Sequence, residues 1–287
     1  MTSANATTPD VRSLKVPGAN LYYEVRGTGP VLIPIPGGPT DAGVFTGLAN
    51  ALSDRYTVVT YDPRGHSRST LKGEQPDDII RAHADDVAHL IDAVGGGPAN
   101  VFGNSGGGTI GLALVARHSA KVKTFVAHEP PLMQLLPDKE HWREVFKKID
   151  EAYRGPGGAF AGMGVFGKAV EEGGPSYSEQ QAQQPQGAPD PEQAAMMGRM
   201  MANFDFFLAH EIQPIGSFVP DIAALKKAKT RIVVAGGKTS GQQGARRAAA
   251  ALADELGVDL VLFEGAHGGF GAPEEAFAKS LDAALRG

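Results

Sequence analysis

A candidate nucleophile stands out in one short run, "VFGNSGGGTIGLALVARH", Val101 to His118. One serine stands among glycines, between an apolar run and a helix-like run. Such a cluster marks backbone geometry that a β-carbon would forbid. Gly103-Asn104-Ser105-Gly106-Gly107 fits G-x-S-x-G after a strand and before a helix. That frame is a nucleophile elbow, a tight turn that lifts a serine hydroxyl above the end of a sheet. Taken alone, the motif also fits a plain glycine-rich turn or a phosphate cradle. The dinucleotide fingerprint does not fit, because the run lacks G-x-G-x-x-G and does not open the fold.

A serine at neutral pH needs a base beside it. The chain has eight histidines, at 66, 83, 89, 118, 128, 141, 210 and 267. His83, His89 and His118 fall in helical segments of the core and read as surface or packing residues. His141 and His210 fall in an insertion, and His128 reads as a pocket or core residue. His267, in "FEGAHGGF", follows the last strand and precedes the last helix, where a loop can return over Ser105. It is the candidate base.

The elements that must position these residues alternate along the chain. "SLKV" and "NLYYEVRG" pattern as strands joined across Pro17-Gly18. "VLIPIP" (31–36), "YTVVTYD" (56–62), "NVFG" and "KVKTFVAH" (121–128) are apolar strands, with helical spacing over 42–54, 77–95 and the segment after Ser105. The rhythm resumes with strands at 230–237 and 258–265 and helices at 245–257 and 273–285. Continuous apolar strands alternating with helices imply a parallel sheet buried on both faces. Residues 132–220 break the rhythm and read as an inserted helical cap, with helices near 138–153 and 192–210 and a mobile polar segment over 173–193. The expected domains are thus a core of 11–131 and 221–287, the insertion 132–220, and a loose N-terminus 1–10. Trp142 and the Met/Phe-rich runs at 196–201 and 204–210 belong to the insertion, as pocket lining or as its own core.

Composition bounds the function. With 42% hydrophobic residues, 287 residues build a sizeable core. A formal net charge of -5 and no dense Lys/Arg stripe exclude nucleic acid as a partner class. The absence of cysteine excludes disulfides and thiolate chemistry. No H-E-x-x-H or comparable cluster suggests a metal, and nothing implies a cofactor. "MTSANATTPD" does not read as a signal peptide, and no apolar run has the length of a bilayer span, so a cytoplasmic protein without a membrane partner is expected.

Taken together, these motifs resemble an α/β-hydrolase of the cap-bearing esterase/lactonase kind, over nearly everything except the cap. "YDPRGHSRS" (61–69) is similar to the family's D-x-R-G-x-G-x-S loop, with His66 in place of a glycine. "IPGGPT" (35–40) is similar to its H-G-G-P oxyanion turn, with Pro36 in place of the histidine. "GAHGGF" resembles the loop bearing its catalytic histidine. The resemblance implies an eight-stranded, mostly parallel sheet and an oxyanion hole formed by the amides of Gly38 and Gly106. In most members the acid follows the seventh strand, but here that loop reads "AGGKTSGQQGARR", with Thr239 at the acid's place and no carboxylate before Asp254. Glu264 is too close in sequence to His267. The alternative location, after the sixth strand, reads "VAHEPP" and resembles zearalenone lactonases, which makes Glu129 the candidate acid. A serine at position 105 disfavours the Asp-nucleophile dehalogenases and epoxide hydrolases.

The resemblance therefore implies a serine hydrolase acting on a small-molecule carboxylic ester or lactone, of hydrophobic character if the cap is apolar. The same triad also serves perhydrolases, hydroxynitrile lyases and C–C hydrolases, and the same fold serves ligand receptors. A homodimer is left open.

Overall fold

The computed structural model describes residues 8–95, 97–175, 191–271 and 274–287. Its centre is one sheet with the strand order β1-β2-β4-β3-β6-β7-β8-β9. The strands are β1 Asp10–Val16, β2 Ala19–Arg26, β3 Val31–Ile35, β4 Thr57–Tyr61, β5 Thr70–Leu71, β6 Ala99–Asn104, β7 Val122–His128, β8 Arg231–Gly237 and β9 Leu260–Phe263. The expected eight strands form the path, and the two-residue β5 pairs with β2 beside it as a ninth. β1, β2 and β4 pair antiparallel, while β4-β3-β6-β7-β8-β9 is parallel. Strand β1 already begins at Asp10, so the N-terminus is ordered earlier than its polar composition predicts; residues 1–7 lie outside the described residues.

The helices are α1 Thr46–Leu52, α2 Ile79–Ala93, α3 Gly106–His118, α4 Lys139–Arg154, α5 Gly158–Glu171, α6 Pro191–Ala202, α7 Phe204–Phe206, α8 Ile212–Ser217, α9 Ile222–Lys227, α10 Gly244–Leu256 and α11 Glu274–Arg286. A π-helical stretch, Phe207–Glu211, joins α7 to α8. Every residue of β6 is buried, as a strand covered on both faces requires. One face packs Phe102, Val126 and Phe263 against Leu48 and Leu52 of α1 and Phe277 and Leu281 of α11. The other face packs Val101, Phe125 and Val234 against α2, α3 and α10, and this core continues into Trp142, Phe146 and Phe207 of the helices between β7 and β8. Most of the expected mobile segment, residues 176–190, lies outside the described residues; residues 191–193 open α6.

The chain turns from β3 to β4 on one side and then crosses to β6 on the other, so the loops after β3 and β6 diverge at their carboxyl ends. Open α/β sheets bind ligands at such a crevice. Ser105 and Gly38 lie on those two loops.

Candidate active site

Ser105 caps α3 with φ 55° and ψ -126°. A non-glycine residue there costs roughly 1–3 kcal/mol and persists only when its surroundings over-determine it. The glycines supply that surrounding. A β-carbon on Gly103 would lie 2.4 Å from the Gly107 carbonyl oxygen, and one on Gly107 would lie 2.1 Å from that of Ile35. The turn therefore closes only with glycine on both sides. Its position is fixed across the sheet by the Ser105 N–H, which donates to the His128 carbonyl at 3.0 Å.

Glu129 follows β7 directly, also at positive φ, 47°. Its amide donates to the Ala235 carbonyl at 3.0 Å. The side chain is fully buried and both carboxylate oxygens are engaged. Oε1 accepts from the Gly237 amide at 2.7 Å, and Oε2 pairs with His267 Nδ1 at 2.7 Å. Burial pushes this carboxyl up, but the hydrogen bond and charge of His267 outweigh it and hold it down at about 2. Thr239 stands where most family members carry the acid, and the strand before it contributes the Gly237 N–H to Glu129. Glu264, near His267 in sequence, pairs with Lys238.

His267 sits on the loop between β9 and α11, closed by Gly269 N–H donating to the Ala266 carbonyl at 2.9 Å and Thr239 N–H to that of Gly265 at 3.1 Å. With Nδ1 turned to Glu129, Nε2 is the nitrogen left for chemistry. Ser105, His267 and Gly38 line two adjoining cavities. Among the described residues, the structure thus brings every candidate site residue to one place.

The two backbone donors are close together. A β-carbon on Gly106 would sit 3.7 Å from the Gly38 amide nitrogen. Among the described residues neither amide has a backbone acceptor outside regular helices and strands. Gly38 has φ 60°, yet a β-carbon there would meet nothing within 4 Å. Substitution at Gly38 is limited by backbone angle rather than by space.

Both cavities are apolar. The first runs under Trp142, Phe146, Phe207 and Ile215, the second between Phe45, Met200, Phe204 and Phe270, and Phe166 and Val170 of α5 touch both. No Asp, Glu, Lys or Arg lines either among the described residues. Met200 is therefore lining, whereas Met197 and Met201 of the same run are exposed. Helix α5 carries much of this wall and is absent from the sequence reading, because its four glycines suppress helix propensity.

His128 proves to be a core residue. Its Nδ1 pairs with Asn104 Oδ1 at 2.7 Å, and burial among Phe102, Phe263 and Phe277 pulls the imidazole down to about 4. His83, expected as surface or packing, is buried and bonded through Nε2 to Glu211 Oε1 at 2.8 Å. His66 Nε2 lies 3.3 Å from Glu211 Oε2. Sequence reasoning missed Glu211, Arg199 and Asn203, whose partners are all remote in the chain.

A sheet of this order, with a strained serine after one strand and a His–Glu pair beside it, is the plan of an α/β-hydrolase. A family model described as alpha/beta hydrolase fold matches residues 30–162. An uncharacterized hydrolase, YraK, of Bacillus subtilis (strain 168) is 34% identical over 275 residues, spanning 94% of this chain and 93% of the relative. The chain belongs to the α/β-hydrolase fold family. The enol-lactonase from Burkholderia xenovorans LB400 is similar with a TM-score of 0.69 at 22% identity, over 96% of this chain and 100% of that one. A thermophilic esterase from Thermogutta terrifontis is similar with a TM-score of 0.71 at 18% identity, over 98% of each chain. At these identities the likeness to the two enzymes is one of fold. No helix among the described residues is long and apolar enough to cross a membrane.

Proposed function

We propose that the protein is a serine hydrolase that cleaves an uncharged carboxylic ester or lactone with apolar groups on both sides of the scissile bond. The observation that carries this reading is the buried Glu129–His267 pair at 2.7 Å, set beside Ser105 in a cavity also lined by Gly38 and Gly106. His267 Nε2 takes the Ser105 proton as Oγ attacks the carbonyl carbon. Glu129 holds the imidazole with its proton on Nδ1 and stabilises the imidazolium that forms. The amides of Gly38 and Gly106 receive the oxyanion, a contact worth about 10²- to 10³-fold in rate per donor. His267 then protonates the leaving alkoxide, and the acyl group stays on Ser105 until water, deprotonated by the same imidazole, releases it.

The helices between β7 and β8 act in this reading as a cap over the serine. The absence of charged lining among the described residues favours neutral substrates, since an unpaired charge in such a cavity is costly to desolvate. The relatives' descriptions as a hydrolase, an enol-lactonase and an esterase agree with acyl transfer. The test is the initial rate on p-nitrophenyl butanoate and on an alkyl-substituted lactone. The parent turns over at least one, and Ser105→Ala loses about 10³-fold or more; full activity in Ser105→Ala would sink the reading.

A further inference from the structure

Pro36 occupies the place where the resemblance expects histidine, so the loop bearing Gly38 needs another support. Within the loop, Thr40 Oγ1 donates to the Gly37 carbonyl at 2.7 Å. From the core, Asp62 Oδ1 accepts the Ala42 amide at 3.0 Å. His66 Nδ1, on the loop after β4, lies 3.4 Å from the Thr40 carbonyl. Two further clamps come from the inserted helices. Asn203, at the junction of α6 and α7, donates through Nδ2 to the Pro39 carbonyl at 3.0 Å. Arg199 of α6 donates to Asp41 Oδ2 at 2.5 Å.

Asn203 is only 3% exposed, and both polar atoms of its side chain are engaged. Nδ2 also donates to Ser67 Oγ at 2.9 Å, and Oδ1 accepts the Ser67 amide at 2.8 Å. Ser67 itself is held at φ 50°, a position that needs such over-determination. One buried amide thus joins three pieces: the inserted helices, the Asp62–Ser69 loop and the loop bearing Gly38. Polar networks satisfied this fully fix a single geometry, and losing one member strands the others. Among the described residues no backbone acceptor aims the Gly38 amide, so its direction depends on how the neighbouring peptides are pinned.

We infer that Asn203 is a positioning residue for the Gly38 amide, so that the oxyanion hole is complete only while the α6–α7 junction is seated on the core. This inference rests on the proposed acyl-transfer role of Ser105. It makes the insertion part of the catalytic apparatus as well as a roof. Lifting the junction would withdraw one donor at the moment the cavity opens.

The variants are Asn203→Asp and Asn203→Ala, with Arg199→Ala as a milder, partly exposed companion. Asn203→Asp keeps the shape and the Ser67 N–H bond but sets an oxygen against the Pro39 carbonyl. Three readouts are taken: kcat and KM on one p-nitrophenyl ester, inhibition by butylboronic acid, whose tetrahedral serine adduct places an oxygen in the hole, and the thermal midpoint. The inference expects kcat to fall about 100-fold in Asn203→Asp and Asn203→Ala, with boronate affinity falling by a similar factor and KM moving less than about threefold. Arg199→Ala shows the same split at about three- to tenfold. A purely structural role would lower the thermal midpoint or raise KM without a matching loss of boronate affinity, and that result overturns the inference. So does any folded Asn203 variant with kcat within about threefold of the parent. If Asn203→Ala does not fold, Asn203→Asp and Arg199→Ala decide. A parent whose turnover does not depend on Ser105 would instead overturn the proposed function.

Discussion

Glu129 is bound on both oxygens, to Gly237 N–H and to His267 Nδ1, and this two-sided grip determines what its replacement does. Glu129→Gln keeps the shape and can still accept from Gly237, but its amide group then faces Nδ1 as a donor and favours the wrong tautomer. The expected loss is about 10³- to 10⁴-fold in kcat with KM little changed. Steady-state kinetics beside a circular dichroism spectrum check this. The backbone at Ser105 offers a second test at the same scale. Ser105→Gly and Ser105→Ala should both lose activity, but only glycine relaxes φ 55°. Ser105→Gly should unfold about 1 kcal/mol harder than Ser105→Ala, as read by urea titration. Ser105 and His267 were legible in the sequence because the elbow and the final loop are local patterns. Glu129 was legible because the loop "AGGKTSGQQGARR", residues 235–247, offers no carboxylate and "VAHEPP" resembles the alternative acid position, whereas its strained φ leaves no trace in residue type.

Between residue and molecule, α5 shows how tertiary packing overrides propensity. Its glycines disfavour a helix on their own, yet one of them, Gly162, lets Tyr153 and Leu208 pack close, and the helix delivers Phe166 and Val170 to both cavities. Phe166→Ala removes much of the wall between those cavities. Across a series of p-nitrophenyl esters from acetate to dodecanoate, the ratio of kcat/KM for long over short acyl chains should rise roughly tenfold, in keeping with what a few methylenes are worth in an apolar pocket. An unchanged chain-length profile would assign the partition elsewhere. The core strands, by contrast, were readable throughout, since parallel strands buried on both faces must be apolar along their length.

At the scale of the whole molecule, Glu211 ties the inserted helices to the core through His83 of α2 and His66 of the loop after β4. Burial pushes its carboxyl up, but the charges of His66 and His83 and their hydrogen bonds outweigh it and leave it at about 2. A carboxyl lower when folded than its ordinary value of 4.5 stabilises the fold above that value, and the contribution is lost as pH falls toward 2. Glu211→Gln should therefore cost about 3 kcal/mol at pH 7, and its gap from the parent should narrow at pH 3.5 in urea titrations. A gap that widens on acidification would reverse the assignment. None of this was legible in the sequence: Glu211, His66 and His83 lie on three separate segments, and neither composition nor periodicity reports that they meet.

The most direct measurement is the intact mass of the protein after reaction with a fluorophosphonate, with the adduct located by peptide mapping. One adduct on Ser105 is expected, absent in Ser105→Ala and His267→Ala and formed more slowly in Glu129→Ala, because phosphonylation needs the same activated oxygen as acyl transfer. A folded parent that stays unlabelled, or labels at another residue, would contradict the account.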